Sequence, residues 1–257
     1  MAPSTSVFLD MKSLAMSSRS GRVSLVSREV NASVDRGMED GGYAEYILLR
    51  DEAAVRVPLD LDPAQVAPLL CAGVTVFNGI RKMKIEHGAV VAVQGIGGLG
   101  HLAVQYASKM GYKTVVLSSG SSKERFAQEL GSHAFINTAV ENPVEKLKSM
   151  GGAGLIVATA PNPKAIGPLT AALAPGGKLL ILPAVGNIEF NSVDLIMAGA
   201  SVHGWASGHV VDSEDAIEFA GIHGVRALIE KFPMERAPEA MAHMLSGKVR
   251  FRAVLTM

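Results

Sequence analysis

Val90-Val91-Ala92-Val93-Gln94-Gly95-Ile96-Gly97-Gly98-Leu99-Gly100-His101 decides the fold. Five residues with no polar alternation read as a strand buried on both faces, and the glycines that follow read as a turn into a helix. In such a strand–turn–helix the first glycine, Gly95, permits the tight turn. Gly97 lets backbone approach a pyrophosphate, and Gly100 lets helix pack closely on strand. Gly98 and Leu99 lie at the helix start, whose N–H groups and dipole favour anions.

Outward from this motif, strands and helices alternate. Strands are predicted at 90–94, 114–117, 134–136, 155–158, 178–182 and 202–204. Helices are predicted at 99–110, from Ser121 with a capping box to Glu124, from Asn142-Pro143 and near Pro163. The expected fold class is α/β, a doubly wound parallel sheet covered on both faces, with ligand at the strands' carboxyl ends. Ahead of it, Gly41–Val57 reads as a β segment, Asp62-Pro63 as a helix start, and Val74–Arg81 as a second short helix. Behind it, a helix at 213–221, a strand at 225–229, a helix at 237–245 and a strand at 251–255 do not extend the alternation.

The bulk composition agrees with a packed globular chain. Among 257 residues, 48% are hydrophobic and 19% charged, with formal net charge +0. Neither nucleic acid nor an anionic membrane is indicated as a partner, and no apolar run reaches the length of a membrane span. The single cysteine, Cys71, cannot form an intramolecular disulfide, which fits a reducing, cytoplasmic setting. Met1–Val30 is serine-rich, carries Lys12, Arg19, Arg22 and Arg28, and has only Asp10 and Glu29 as acids. That composition admits a mitochondrial transit segment as the alternative to an irregular N-terminus.

The nucleotide is read at the end of the second strand. A NAD-binding sheet usually places an acid there, about twenty residues past the glycine turn, to bind the ribose 2′-hydroxyl. Here the segment is Leu117-Ser118-Ser119-Gly120-Ser121-Ser122-Lys123, with no carboxylate before Glu124. Hydroxyls from Ser118 and Ser119 and the charge of Lys123 suit a 2′-phosphate, so NADP(H) is the expected cofactor.

Gly41-Gly-Tyr-Ala-Glu-Tyr46, Leu70-Cys-Ala-Gly-Val-Thr75, Gly95-Ile-Gly-Gly-Leu-Gly-His101 and Ser246-Gly-Lys-Val-Arg-Phe-Arg252 occur in that order. Together they resemble the zinc-type medium-chain alcohol dehydrogenases, with the cinnamyl-alcohol-dehydrogenase-like branch nearest. The resemblance implies a dinucleotide domain, here 71–212. It also implies a GroES-like catalytic domain, reduced here to 1–70 and completed by 213–257. It further implies coenzyme contacts at Thr75, Thr159, Ala160 and Arg252, and makes Cys71 the counterpart of one catalytic-zinc ligand. The remaining zinc ligands and the proton relay of the family precede the Gly-Gly-Tyr motif, whereas Met1–Asp40 contains neither Cys nor His. The chain therefore reads as N-terminally truncated relative to the family. Cys71 is expected to be a small buried helix residue and His101 a packing residue, and no metal is expected.

Hydride transfer needs no metal where the acceptor is already activated. The resemblance extends to zinc-free relatives that reduce enones and quinones, so a zinc-independent oxidoreductase acting on an activated carbonyl or conjugated alkene of specialised metabolism is expected. A non-redox cyclase or isomerase, and a non-catalytic dinucleotide-binding protein or truncated product, are the alternatives. Candidate catalytic donors are Tyr43, Tyr46, His203 and Ser207, with Trp205 and His209 nearby. Packing or interface roles are the plainer reading of the histidines and tyrosines. Loss of a full barrel would expose apolar surface around Leu69, Leu70, Val74 and the last strand, to be covered by Met1–Asp40, a partner or a bulky apolar substrate. By analogy a homodimer forms through the strand at 202–204.

Overall fold

The computed structural model describes residues 54–257 together with two short strands, β1 (Val7–Asp10) and β2 (Val23–Val26). Tyr43, Tyr46 and most of the 41–57 segment lie outside the described residues. The chain divides into two compact units, Gly79–Trp205 and the combination of Met1–Asn78 with Ala206–Met257.

The Gly79–Trp205 unit is built on a six-stranded parallel sheet ordered β6-β5-β4-β7-β8-β9. Its strands are β4 (Val90–Gln94), β5 (Lys113–Ser118), β6 (Ala134–Asn137), β7 (Ala153–Ala158), β8 (Leu173–Ile181) and β9 (Ser201–Gly204). Strand order reverses between β4 and β7, which opens a crevice at their carboxyl ends. β4 is buried at every position, as its unbroken apolar run requires. Between strands lie α3 (Gly100–Lys109), α4 (Glu124–Glu129), α5 (Pro143–Ser149), α6 (Pro163–Ile166) and α7 (Ser192–Ala198). Asn142, Asn162 and Asn191 cap three of these, each side chain accepting from a first-turn N–H. The core joins Ala92, Val115, Leu117, Ile156, Ala158 and Leu179 to Leu147, Ile166 and Leu169 from the helical layer.

The predicted capping box at Ser121 is absent. Residues Ser121–Lys123 form a 3₁₀ turn, α4 starts only at Glu124, and its N-cap, Lys123, makes no side-chain capping bond. Gly120, at φ 85°, turns the chain before Ser121 can take the cap position.

The other unit contains β3 (Ala54–Val57), α1 (Pro63–Val66), α8 (Val210–His223), β10 (Ile229–Pro233), α9 (Ala237–Leu245) and β11 (Arg252–Thr256). Most of α2 (Ala72–Lys82) belongs here too. β11 lies between β1 and β10 in a parallel sheet, and β2 pairs antiparallel with β3. The expected strand at 225–229 sits four residues later. Gly224 closes α8 in the left-handed conformation, Val225 and Ala227 bury their side chains outside any ladder, and pairing begins where Ile229 meets Arg252. The apolar surface around Leu69, Leu70, Val74 and the last strand is covered, and β1, from the Met1–Asp40 segment, pairs with β11. Those residues, with Ala253, Val254 and Leu255, are all buried. Cys71 also departs from expectation. It is exposed at the junction of a 3₁₀ turn with α2, where φ −128° and ψ −68° break the helical face.

The tightest point of the sheet unit is the turn after β4. A Cβ on Gly100 would stand 2.0 Å from the Gly95 carbonyl oxygen and 2.9 Å from Thr159 Oγ1, whereas one on Gly97 would meet nothing within 4 Å. Gly100→Ala is therefore expected to cost about 2 kcal/mol or more. Gly97→Ala is expected to change stability by less than about 0.5 kcal/mol. Urea denaturation of the two variants checks the contrast.

Candidate coenzyme crevice

Three strand ends build the crevice in the Gly79–Trp205 unit. The Thr159 hydroxyl, 2.8 Å from the Gln94 carbonyl and 3.2 Å from that of Gly95, pins the end of β7 to the end of β4. The Thr159 and Ala160 N–H groups donate to the same Gln94 carbonyl, and Ala160 N–H also reaches Gln94 Oε1 at 3.1 Å. Gly95 N–H donates to Leu117 O at 2.8 Å, which ties the turn to β5. Gln94 thus braces both neighbours. In the sequence Gln94 reads only as the last residue of a strand, and its signal as a brace is a polar residue ending an apolar run.

A dinucleotide fits this geometry. Gly95 takes φ 92°, which turns the chain at the strand's end, and the space over Gly97 is open where a phosphate would need it. α3 then starts, with its N-terminal dipole at the turn and His101 fully buried. His101 Nδ1 sits 2.9 Å from the Gly97 carbonyl, so the ring packs and braces. Behind it Tyr106 is buried, and burial pushes its phenol well above the ordinary tyrosine range.

At the end of β5, Ser118 is buried and Ser119, Ser121, Ser122 and Lys123 are exposed. Their backbone is held from β6. Thr138 N–H donates to Ser118 O at 3.1 Å, and Gly120 N–H donates to Asn137 Oδ1 at 2.9 Å. Asn137 Oδ1 also accepts from Ala139 N–H at 3.1 Å, while Asn137 N–H donates to Glu141 Oε2 at 2.9 Å. Glu141 pairs with Lys146 at 2.9 Å. The sequence signal for Asn137 was its place at a strand end, where an Asx turn is favoured.

Of the catalytic candidates, His203 lies in β9 with Nε2 2.8 Å from Ser201 Oγ. Ser207 lies in the other unit, where its carbonyl accepts from Asn78 Nδ2 at 3.3 Å. There Thr75 is buried, its hydroxyl placed 2.6 Å from Cys71 O and 3.1 Å from Ala206 O. His209 precedes α8, its N–H bonded to Asp212 Oδ2. Arg252 is buried in β11, and desolvation lowers its pKa to about 10 against a smaller raising influence from Cys71.

The zinc-binding dehydrogenase family model matches residues 98–221. An alcohol dehydrogenase of Penicillium expansum, patD, is 55% identical over 227 residues, or 88% of this chain and 67% of that protein. The chain belongs to the zinc-binding alcohol dehydrogenase family. Its fold follows the same family. A cinnamyl alcohol dehydrogenase of Sorghum bicolor superposes with TM-score 0.69 at 33% identity, over 80% of this chain and 58% of that one. The cinnamyl alcohol dehydrogenase of Helicobacter pylori, solved with NADP(H), gives TM-score 0.66 at 26% identity, over 79% of this chain and 58% of that one. The chain spans 67% of the length of patD and 58% of each of these two solved relatives.

The described residues do not assemble a site for the family's metal. Catalytic zinc needs three protein ligands and an open position. Cys71 is the single cysteine, and no group of three His, Cys, Asp or Glu suited to a metal occurs among the described residues.

The brace beneath the Ser118–Lys123 turn has a pH signature. The Lys146 hydrogen bond, then the Asn137 N–H, hold the Glu141 carboxyl below its ordinary range. A lowered folded-state pKa contributes stability above the ordinary glutamate range, and that contribution is lost as pH falls through the lowered value. Wild type is expected to melt above Glu141→Gln at neutral pH, and the gap to close in acid below the glutamate range. Differential scanning fluorimetry across pH checks this.

Proposed function

We propose that the chain is a zinc-independent, NADP(H)-linked oxidoreductase acting on an activated carbonyl or conjugated alkene, with a role in specialised metabolism. The observation that carries the coenzyme assignment is the end of β5, where Ser118, Ser119 and Lys123 stand in place of a carboxylate. A carboxylate there would repel a 2′-phosphate, whereas hydroxyls and an ammonium attract it. The Helicobacter pylori relative solved with NADP(H) supports the same reading. In this proposal Gly95, Gly97, Gly98, Leu99 and Gly100 take the pyrophosphate, and Ser118, Ser119 and Lys123 take the 2′-phosphate. Thr159 and Ala160 border the ribose. Thr75 and Arg252 are proposed as coenzyme contacts on family resemblance alone.

When bound, the nicotinamide supplies or accepts hydride. The chain's residues anchor it by its phosphates and hold it against an acceptor whose own conjugation spreads the developing charge, so no Lewis acid is required. The acceptor is proposed to be a largely apolar small molecule. Residues 1–70 and 213–257 are proposed to belong to a GroES-like catalytic domain and 71–212 to the dinucleotide domain. A cytoplasmic location is proposed, and no single helix among the described residues is long and apolar enough to cross a membrane.

A homodimer through β9 is proposed with it. Among the described residues β9 is an outer strand of its sheet, and the preceding α7 exposes Val193, Ile196 and Met197, the last two at 75% and 80%. An unpaired edge beside exposed apolar side chains favours pairing with a second copy. Sedimentation is expected to show a dimer that Ile196→Asp with Met197→Asp converts to monomer; a wild-type monomer contradicts the assignment.

Titration with NADPH, followed by nicotinamide fluorescence, is expected to saturate with one site per chain in the micromolar range. NADPH consumption is then expected with enones or quinones rather than simple aldehydes. Absence of binding at high micromolar coenzyme ends the reading. Binding with substrate isomerised and no coenzyme consumed selects a cyclase or isomerase instead.

A further inference from the structure

The Ser118–Lys123 turn divides its bonding in an unusual way. Its backbone is fixed at two points, through Ser118 O and Gly120 N–H. Among the described residues, no protein hydrogen bond or ion pair engages the side chains of Ser119, Ser121, Ser122 or Lys123, all of them exposed. A turn with a restrained backbone and uncommitted donors is arranged to receive an acceptor from outside the chain.

The restraint converges on one side chain. Asn137 Oδ1 accepts from Gly120 N–H at 2.9 Å and from Ala139 N–H at 3.1 Å, so a single amide oxygen joins the β5 turn to the β6 turn. Asn137 is itself held at both ends. Its backbone pairs with Ser118 in the β5–β6 ladder, its N–H donates to Glu141 Oε2, and its carbonyl accepts from Glu141 N–H at 2.9 Å. Lys146 pairs the Glu141 carboxylate, offsetting a negative charge that would otherwise oppose an anion near this turn. Gly120, at φ 85°, cannot hold its shape by backbone preference. Without the Asn137 bond the donors of Ser119 and Lys123 would be dispersed over many turn conformations.

We infer that Asn137 is a positioning residue for coenzyme selection: through Gly120 it holds the Ser118–Lys123 turn in the form that receives a 2′-phosphate. The inference rests on the NADP(H) reading above. Asn137 itself touches no coenzyme atom in this account. Its effect is confined to the part of the coenzyme that NADPH has and NADH lacks.

Equilibrium titration of wild type and Asn137→Ala with NADPH and with NADH separates the two claims. Wild type is expected to prefer NADPH. Asn137→Ala is expected to weaken NADPH about tenfold, the equivalent of one well-placed hydrogen bond, and to change NADH less than about twofold. Amide exchange at Gly120 is expected to accelerate in the same variant. Unchanged NADH affinity serves as the control for folding. If Asn137→Ala does not fold, Asn137→Ser, whose shorter side chain does not span to Gly120, is expected to give the same selective loss. Equal wild-type affinity for NADH and NADPH overturns the coenzyme reading and the inference with it. A wild-type NADPH preference that survives in the variant, or a parallel loss of both coenzymes, overturns the inference alone.

Discussion

The geometry of the coenzyme crevice depends on how β4 and β7 are fastened at their carboxyl ends. Thr159 Oγ1 lies within hydrogen-bond distance of the Gln94 and Gly95 carbonyls, while Ala160 N–H reaches the Gln94 side chain. These contacts leave room for neither a Cβ at Gly100 nor one at Gly95, where it would meet Ala160 Cβ at 2.7 Å. The space over Gly97, in the same turn, is open. A tight turn and an open cradle thus lie side by side, and α3 is aimed by the turn that those bonds fix.

The parallel sheet was legible because its signals are local. The apolar run at 90–94 made β4, and the Asn-Pro pairs made the starts of α5 and α6. What escaped the sequence was set by partners far along the chain. β10 begins at Ile229 because β11 offers its ladder there. The Ser121 cap fails because Gly120 is drawn to Asn137, seventeen residues away. Cys71 is exposed among buried neighbours because the backbone, not the side-chain pattern, breaks between Leu70 and Ala72. In the site, the glycines are legible in the sequence, whereas Gln94 and Asn137 show there only as polar residues at strand ends, because the partners that make them braces lie far along the chain.

The proposed chemistry departs from the metal-assisted reaction that the family name suggests. One thiol in 257 residues cannot supply three zinc ligands, and the described residues hold no cluster to complete them. The proposed chemistry therefore rests on coenzyme placement and on an acceptor that carries its own activation. Arg252 is proposed as a coenzyme contact rather than a proton donor. Even with its pKa lowered to about 10 by burial, it remains charged at neutral pH.

Backbone amide NMR during titration with NADP⁺ tests the central claim most directly. The account predicts saturable shifts at Gly97, Gly98 and Leu99 and at Ser118–Lys123, with half-saturation common to both groups. Saturable binding that leaves the amides of 97–99 unmoved would place the coenzyme elsewhere and contradict it.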